Sequence, residues 1–304
     1  MQIYFAPIQG FTDYVYRNAH AAVYGGIDKY FTPFIRVEDE GLRKKDINDL
    51  FNANVPERSN YELVPQIIAN NACDFAKLVD FVIDCGYSAC DINFGCPFPQ
   101  QSKKFRGCGI LQNPNMVADV LRATRKYQDM RFSLKMRLGY QSAEESLAVA
   151  GIINSVPLRF VTIHPRLGRQ MYKGDVDMEG FRKLASAINH PIVYNGDINS
   201  IDQAKDLMKM FPNLSALMIG RGLIANPELA ECIHSGKFTF SKTRFLKFIN
   251  LLVEGYTGQY GSELMVLDKM KTFFTYSNFN AKAIKAIQKS RSLSEFVAKA
   301  AIAF

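Results

Sequence analysis

The sequence predicts a (β/α)8 TIM barrel followed by a C-terminal all-helical domain, and three observations carry that prediction. Eight short apolar runs alternate with amphipathic stretches over roughly the first 235 of 304 residues, the order expected of a parallel barrel. No Gly-x-Gly-x-x-Gly follows the first run, which disfavours a doubly wound sheet. Beyond residue 238 the strand alternation stops and only helical patterns remain. The expected domains are therefore 1–237, a barrel, and 238–304, a helical tail.

In chain order, the strand candidates are residues 3–7, 29–34, 63–68, 89–93, 132–136, 160–164, 191–194 and 217–219. Helical segments lie between them at 74–84, 115–127, 143–156, 178–187 and 201–210. Asn113-Pro114, Ser142 and Ser200 stand where a side-chain oxygen can cap the first free N–H groups of a helix. In the tail, 244–258, 263–277, 281–290 and 293–304 read as four helices.

Composition excludes several classes. Hydrophobic residues make up 48% of the chain, ample for a core, yet no run approaches the ~18 uncharged apolar residues of a membrane span. The N-terminus reads as a strand, without the basic and apolar regions of a secretory signal. The cysteines, at 73, 85, 90, 96, 108 and 232, form no Cys-x-x-Cys pair, so no metal site is expected. Reduced thiols and a cytoplasmic location follow. The net charge of +8 is uneven: from 238 onwards ten Lys/Arg face four acids, +6, leaving +2 for the rest. A basic tail on a nearly neutral body points to an acidic partner, nucleic acid first. A monomer without a stable protein partner is expected.

A barrel of this kind keeps its chemistry where the strands end, and the strand ends here form an unusual set. They read Ala6-Pro7-Ile8-Gln9-Gly10, Pro65-Gln66, Asn93-Phe94-Gly95-Cys96-Pro97, Lys135-Met136-Arg137, His164-Pro165-Arg166, Asn195-Gly196-Asp197 and Gly220-Arg221-Gly222. Glycine-bearing turns after the last two strands make the usual phosphate site of such barrels, with Arg221 as a clamp. Two amides (Gln66, Asn93), a cation (Lys135) and an imidazole (His164) suit a flat heteroaromatic ring that acquires negative charge. Reduced flavin mononucleotide (FMN) has those properties. Singly, each residue has an ordinary structural reading; their joint placement favours function. Cys96 on these grounds is a nucleophile, a metal ligand, a proton donor or packing.

The motifs resemble those of the tRNA-dihydrouridine synthases, FMN-dependent enzymes that reduce uridine in tRNA. The matching segments are Ala6-Pro7-Ile8-Gln9-Gly10-Phe11-Thr12-Asp13, Asn93-Phe94-Gly95-Cys96-Pro97, Leu134-Lys135-Met136-Arg137-Leu138-Gly139, Ile163-His164-Pro165-Arg166 with Gln170-Met171-Tyr172-Lys173-Gly174, Asn195-Gly196-Asp197-Ile198 and Gly220-Arg221-Gly222, in family order from 6 to 222. The resemblance implies that Cys96 donates the proton to the uracil ring, that NADPH reduces the flavin transiently, and that the tail grips tRNA. It implies FMN contacts from Pro7, Ile8, Gln9, Gln66, Lys135, His164, Asn195, Gly196, Asp197, Gly220 and Arg221, and substrate contacts from Asn93, Arg137 and Arg166. One departure stands out. Where the family has Gly-Ala-x-Leu-Leu, this chain has Gly107-Cys108-Gly109-Ile110-Leu111, which leaves a second thiol near Cys96. The alternatives are a dihydroorotate-dehydrogenase-like FMN oxidoreductase acting on a free pyrimidine, a Schiff-base aldolase using Lys135, and a non-catalytic RNA-binding barrel.

Overall fold

The computed structural model describes residues 1–39, 41–52, 61–277 and 279–302. Eight parallel strands form the barrel: β1 (Gln2–Phe5), β2 (Lys29–Phe31), β3, β4 (Ala89–Phe94), β5 (Arg131–Gly139), β6 (Val161–Leu167), β7 (Ile192–Asn195) and β8 (Ala216–Ile219). β3 comes in two pieces, Glu62–Val64 and Gln66–Ile67, because Pro65 between them has no N–H to give the ladder. The first piece pairs with β2 and the second with β4. That split strand closes the ring, since β1 pairs with both β2 and β8 and the order then runs β8, β7, β6, β5, β4.

The apolar runs found their places, with boundaries moved by identifiable causes. β2 stops at Phe31, short of Pro33. β5 and β6 instead run on together past the expected ends, with Arg137 paired to His164 and Gly139 to Leu167 across a register shift. The helix after Asn113 occupies Pro114–Ala123 and tightens into a 3-10 turn at Thr124–Lys126. Asn113 and Ser200 cap as expected, accepting from Met116 and Gln203. Ser142 lies one residue too early: the helix begins at Glu144, and the N–H groups of Tyr140 and Gln141 are taken by the Glu145 carboxylate.

Inside the barrel, Tyr4, Phe31, Phe160, Val193 and Met218 make a separate buried cluster with smaller neighbours, the packed interior that such a fold requires. Below it Glu62 takes ion pairs from Lys29 and Arg159. The strand ends opposite are left free for a site.

The tail helices are Lys242–Gln259, Glu263–Phe273, Ala281–Gln288 and Leu293–Ala301. Of the expected fourth helix, 303–304 lie outside the described residues. The main core runs without a break from the barrel helices into Phe245, Phe248, Leu252, Met270 and Phe296 of the tail. Phe248 meets the Tyr16 ring edge-on at 5.4 Å. Asp13, which caps the first barrel helix, also accepts from Tyr256 Oη at 2.7 Å and pairs with Lys269 at 3.2 Å. The tail is thus tied to the barrel rim right after β1. Among the described residues no helix is long and apolar enough to cross a membrane.

Candidate active site

A cavity opens at the C-terminal ends of the strands, the end at which such barrels keep their ligand sites. Every residue expected at the site lines it except Arg166. The loop after β1 supplies Pro7, Ile8 and Gln9, with Gln9 Nε2 donating to the Phe34 carbonyl at 3.0 Å.

On the β3–β5 side the polar groups are linked. Asn93 Oδ1 accepts from the backbone N–H of Gly95 at 2.9 Å and of Cys96 at 2.8 Å. Asn93 Nδ2 donates to Gln66 Oε1 at 2.7 Å, and Gln66 Nε2 to Asp91 Oδ2 at 2.7 Å. The turn that carries Cys96 is therefore held by the side chain three residues before it. From outside, Arg137 Nε donates to the Gly95 carbonyl at 3.0 Å, and the Cys96 carbonyl accepts from Cys108 N at 3.1 Å and Cys108 Sγ at 3.2 Å. Gly107 has φ +59°, and a Cβ there would strike the backbone of Cys96, so this close approach needs glycine. Cys96 packs against Phe34 and Ile68 and is 7% exposed. Burial pushes its thiol up, outweighing the Phe98 backbone and the Arg137 and Lys135 charges. The thiol is therefore protonated at neutral pH. That disfavours a thiolate nucleophile, and no group of three His, Cys, Asp or Glu that could hold a metal occurs among the described residues.

Lys135 pairs in register with Asn93. Burial first, then Arg137, lowers its pKa to about 8, against Asp91 and Cys96, which raise it. Among the described residues no carboxylate forms an ion pair with its ammonium, and Asp91 is the anion that stabilises its charge without touching it.

On the β6–β8 side ion pairs dominate. Arg166 has all five N–H donors committed: Nε and Nη2 to the Gly174 carbonyl, Nη1 and Nη2 to Asp197, and Nη1 to His164 Nε2 at 3.2 Å. No donor is left for a substrate. Arg166 supports the site from behind, and the sequence could not show this because Gly174 and Asp197 reach it only in the fold. Arginine can only donate, so His164 Nε2 accepts and the ring proton sits on Nδ1. Burial and the surrounding arginines hold the imidazole neutral, well below its ordinary pKa. Asp197 also receives Arg221 at 2.8 Å. The glycine turns after β7 and β8 are brought together, and a Cβ at Gly222 would strike the Ile198 carbonyl. Asn195 Nδ2 donates to the Met218 carbonyl at 2.8 Å, locking the two strand ends.

Sequence reasoning passed over four residues. Tyr172 lines the cavity, with the guanidinium groups of Arg137 and Arg221 5.3 and 5.0 Å from its ring centroid. Phe34 lies against Cys96, and Tyr276 reaches the cavity from the tail. Asp91 is fully buried beneath it. Two of them left a signal: Tyr172 stands in the matching segment 170–174, and Asp91 is a carboxylate in an apolar strand, two residues before Asn93 and so on the same face.

A family model described as dihydrouridine synthase matches residues 4–301. The tRNA-dihydrouridine synthase B of Pasteurella multocida is 30% identical over 171 residues, covering 56% of this chain and 51% of that protein. The tRNA-dihydrouridine(16) synthase of Neisseria meningitidis is 28% identical over 238 residues, 76% of this chain and 71% of that one. The match thus spans about half the length of the first relative and nearly three quarters of the second. Among solved structures, morphinone reductase superposes with a TM-score of 0.57 at 10% identity, covering 80% of this chain and 88% of that one, which speaks for the barrel alone.

Proposed function

The chain belongs to the dihydrouridine synthase family, and from that premise we propose that it reduces the C5=C6 bond of uridines in tRNA with FMN, replenished by NADPH. The observation that carries the chemical part is the buried, protonated Cys96 thiol facing the same cavity as the Lys135 ammonium. The residues present fit the cofactor. Lys135 and the His164 Nδ1–H face the cavity and are open to an acceptor, and Gly220 and Gly222 let backbone N–H groups approach a phosphate. When bound, reduced FMN supplies the hydride for C6. Lys135 stabilises negative charge on the ring beside it. Cys96 delivers the proton to C5 as a general acid, which is what a thiol kept protonated can do. Asn93 orients the uracil and holds the Cys96 turn, while Phe34, Phe98 and Tyr276 exclude water from the mouth.

A uridine must leave its stack to reach this depth. The basic tail, residues 238–304, is read as the tRNA-recognition domain, binding phosphates in a salt-sensitive manner. A monomer acting in the cytoplasm completes the reading. The free-pyrimidine alternative is not favoured, because the relatives are named for tRNA.

The test uses purified protein, unmodified tRNA and NADPH. The wild type should carry a yellow chromophore and form dihydrouridine. Cys96→Ala should keep the chromophore and tRNA binding but lose about 100- to 10,000-fold in kcat, the usual weight of a general acid. Full activity in that variant would remove the proton-donor role.

A further inference from the structure

Asp91 lies in the barrel interior on the face of β4 that carries Asn93, and the reaction above makes no use of it. Its strand partners in register are Gln66 on β3 and Ser133 on β5. Both donate to it, Gln66 Nε2 to Oδ2 at 2.7 Å and Ser133 Oγ to Oδ1 at 2.5 Å.

The direction of every bond leading from Asp91 to the Cys96 turn is forced. The backbone N–H groups of Gly95 and Cys96 can only donate, so Asn93 must present Oδ1 to them. Its Nδ2 then faces Gln66, which must present Oε1. That leaves Gln66 Nε2 to donate downward. The relay runs one way and ends on a group that must accept. We propose that Asp91 is a positioning residue for the Cys96 turn, the acceptor for Gln66 Nε2 that holds Gln66 and Asn93 in the orientation the Gly95 and Cys96 backbone N–H groups require. The importance of that turn for catalysis rests on the proton-donor reading of Cys96; the relay itself does not.

The positioning role needs an acceptor rather than a charge. Burial raises the Asp91 carboxyl to about 6, against the Ser133 and Gln66 hydrogen bonds and the Lys135 charge. Lys135 on β5 is the charged group that faces it, and the neighbouring Cys90 thiol on β4 is held protonated by burial. A protonated Asp91 can turn its hydroxyl to the Ser133 Oγ and still accept from Gln66 with its carbonyl oxygen, so the relay survives in either state.

The test is hydrogen–deuterium exchange of the peptide covering 93–98, read by mass spectrometry and corrected for intrinsic exchange. It needs neither cofactor turnover nor tRNA. In Asp91→Leu, which offers no acceptor, protection of this peptide should fall about tenfold, while peptides of β7 hold theirs. In Asp91→Asn it should match the wild type, because a carboxamide can turn its oxygen to Gln66 and its NH2 to the Ser133 hydroxyl. Wild-type protection in Asp91→Leu, or a loss in Asp91→Asn as deep as in Asp91→Leu, overturns the proposal. Should Asp91→Leu fail to fold, Asp91→Ala is read in its place. A wild type that forms no dihydrouridine would defeat the proposed function and leave this result standing.

Discussion

The two walls of the cavity are held by different physics. On the β3–β5 wall, neutral amides pass hydrogen bonds from the Cys96 turn through Asn93 and Gln66 to Asp91, and Lys135 makes no ion pair. On the β6–β8 wall, Arg166 and Arg221 share the Asp197 carboxylate, which leaves one positive charge over, and His164 is kept neutral among them. The charged groups of the second wall are tied to one another before any ligand arrives. On the first they are not: a cation that only Asp91 faces and a thiol that keeps its proton. Proton and charge chemistry belongs on the wall where those states are free to change, and anchoring on the wall where they are not.

The largest break in that comparison should come at Lys135. Its pKa is lowered to about 8, so between about 8 and the ordinary lysine value the unfolded chain binds this proton and the native one does not. Stability therefore rises with pH through that window, while activity, which uses the charge, falls as pH passes about 8. Lys135→Met should cost about 100-fold in kcat yet raise stability at neutral pH by about 1–2 kcal/mol. Turnover and thermal melting of the same preparation check both. Unchanged turnover would mean that the unpaired charge on this wall has no part in the reaction.

The opposite wall should respond the other way. Asp197→Ala leaves Arg166, whose side chain is 3% exposed, with only the Gly174 carbonyl and His164. Removing one member of a buried pair is costly, and partial exposure of Asp197 softens the loss to about 1–2 kcal/mol. Thermal stability and chromophore retention should drop together, while the chromophore that remains turns over normally. Stability and chromophore content equal to the wild type would show that the ion pairs do not anchor this side.

The same division explains what could be read from the sequence. The barrel was legible because each strand is a local apolar run, and the strand ends because chemistry gathers where those runs stop. Local patterning also placed Asn93, Cys96, Lys135 and His164. It could not show that Arg166 is fully spent on Gly174 and Asp197, since those contacts join β6 to segments 8 and 31 residues away. Nor could it place Tyr276 at the mouth, because that depends on how the tail helices dock through Asp13 and Lys269. Strand boundaries moved where proline or a shared extension of β5 and β6 intervened, which are properties of pairs of strands.

The smallest expected effect lies at Cys108, and it sharpens what holds the thiol wall. Burial raises its own thiol to about 12, so it stays a donor and cannot exchange roles with a thiolate. It is fully buried, lines no part of the cavity, and its Sγ–H reaches the Cys96 carbonyl at 3.2 Å. The backbone N–H of the same residue makes a parallel bond to that oxygen, so the turn keeps one support when the sulfur is removed. Cys108→Ala should therefore lower kcat only about two- to fivefold and cost about 1 kcal/mol, mostly from the small cavity left beside Gly168 and Tyr140. Steady-state turnover with urea unfolding measures both. A loss as deep as that of Cys96→Ala would mean that the second thiol takes part in proton delivery, and that the wall moves its proton through two sulfurs rather than one.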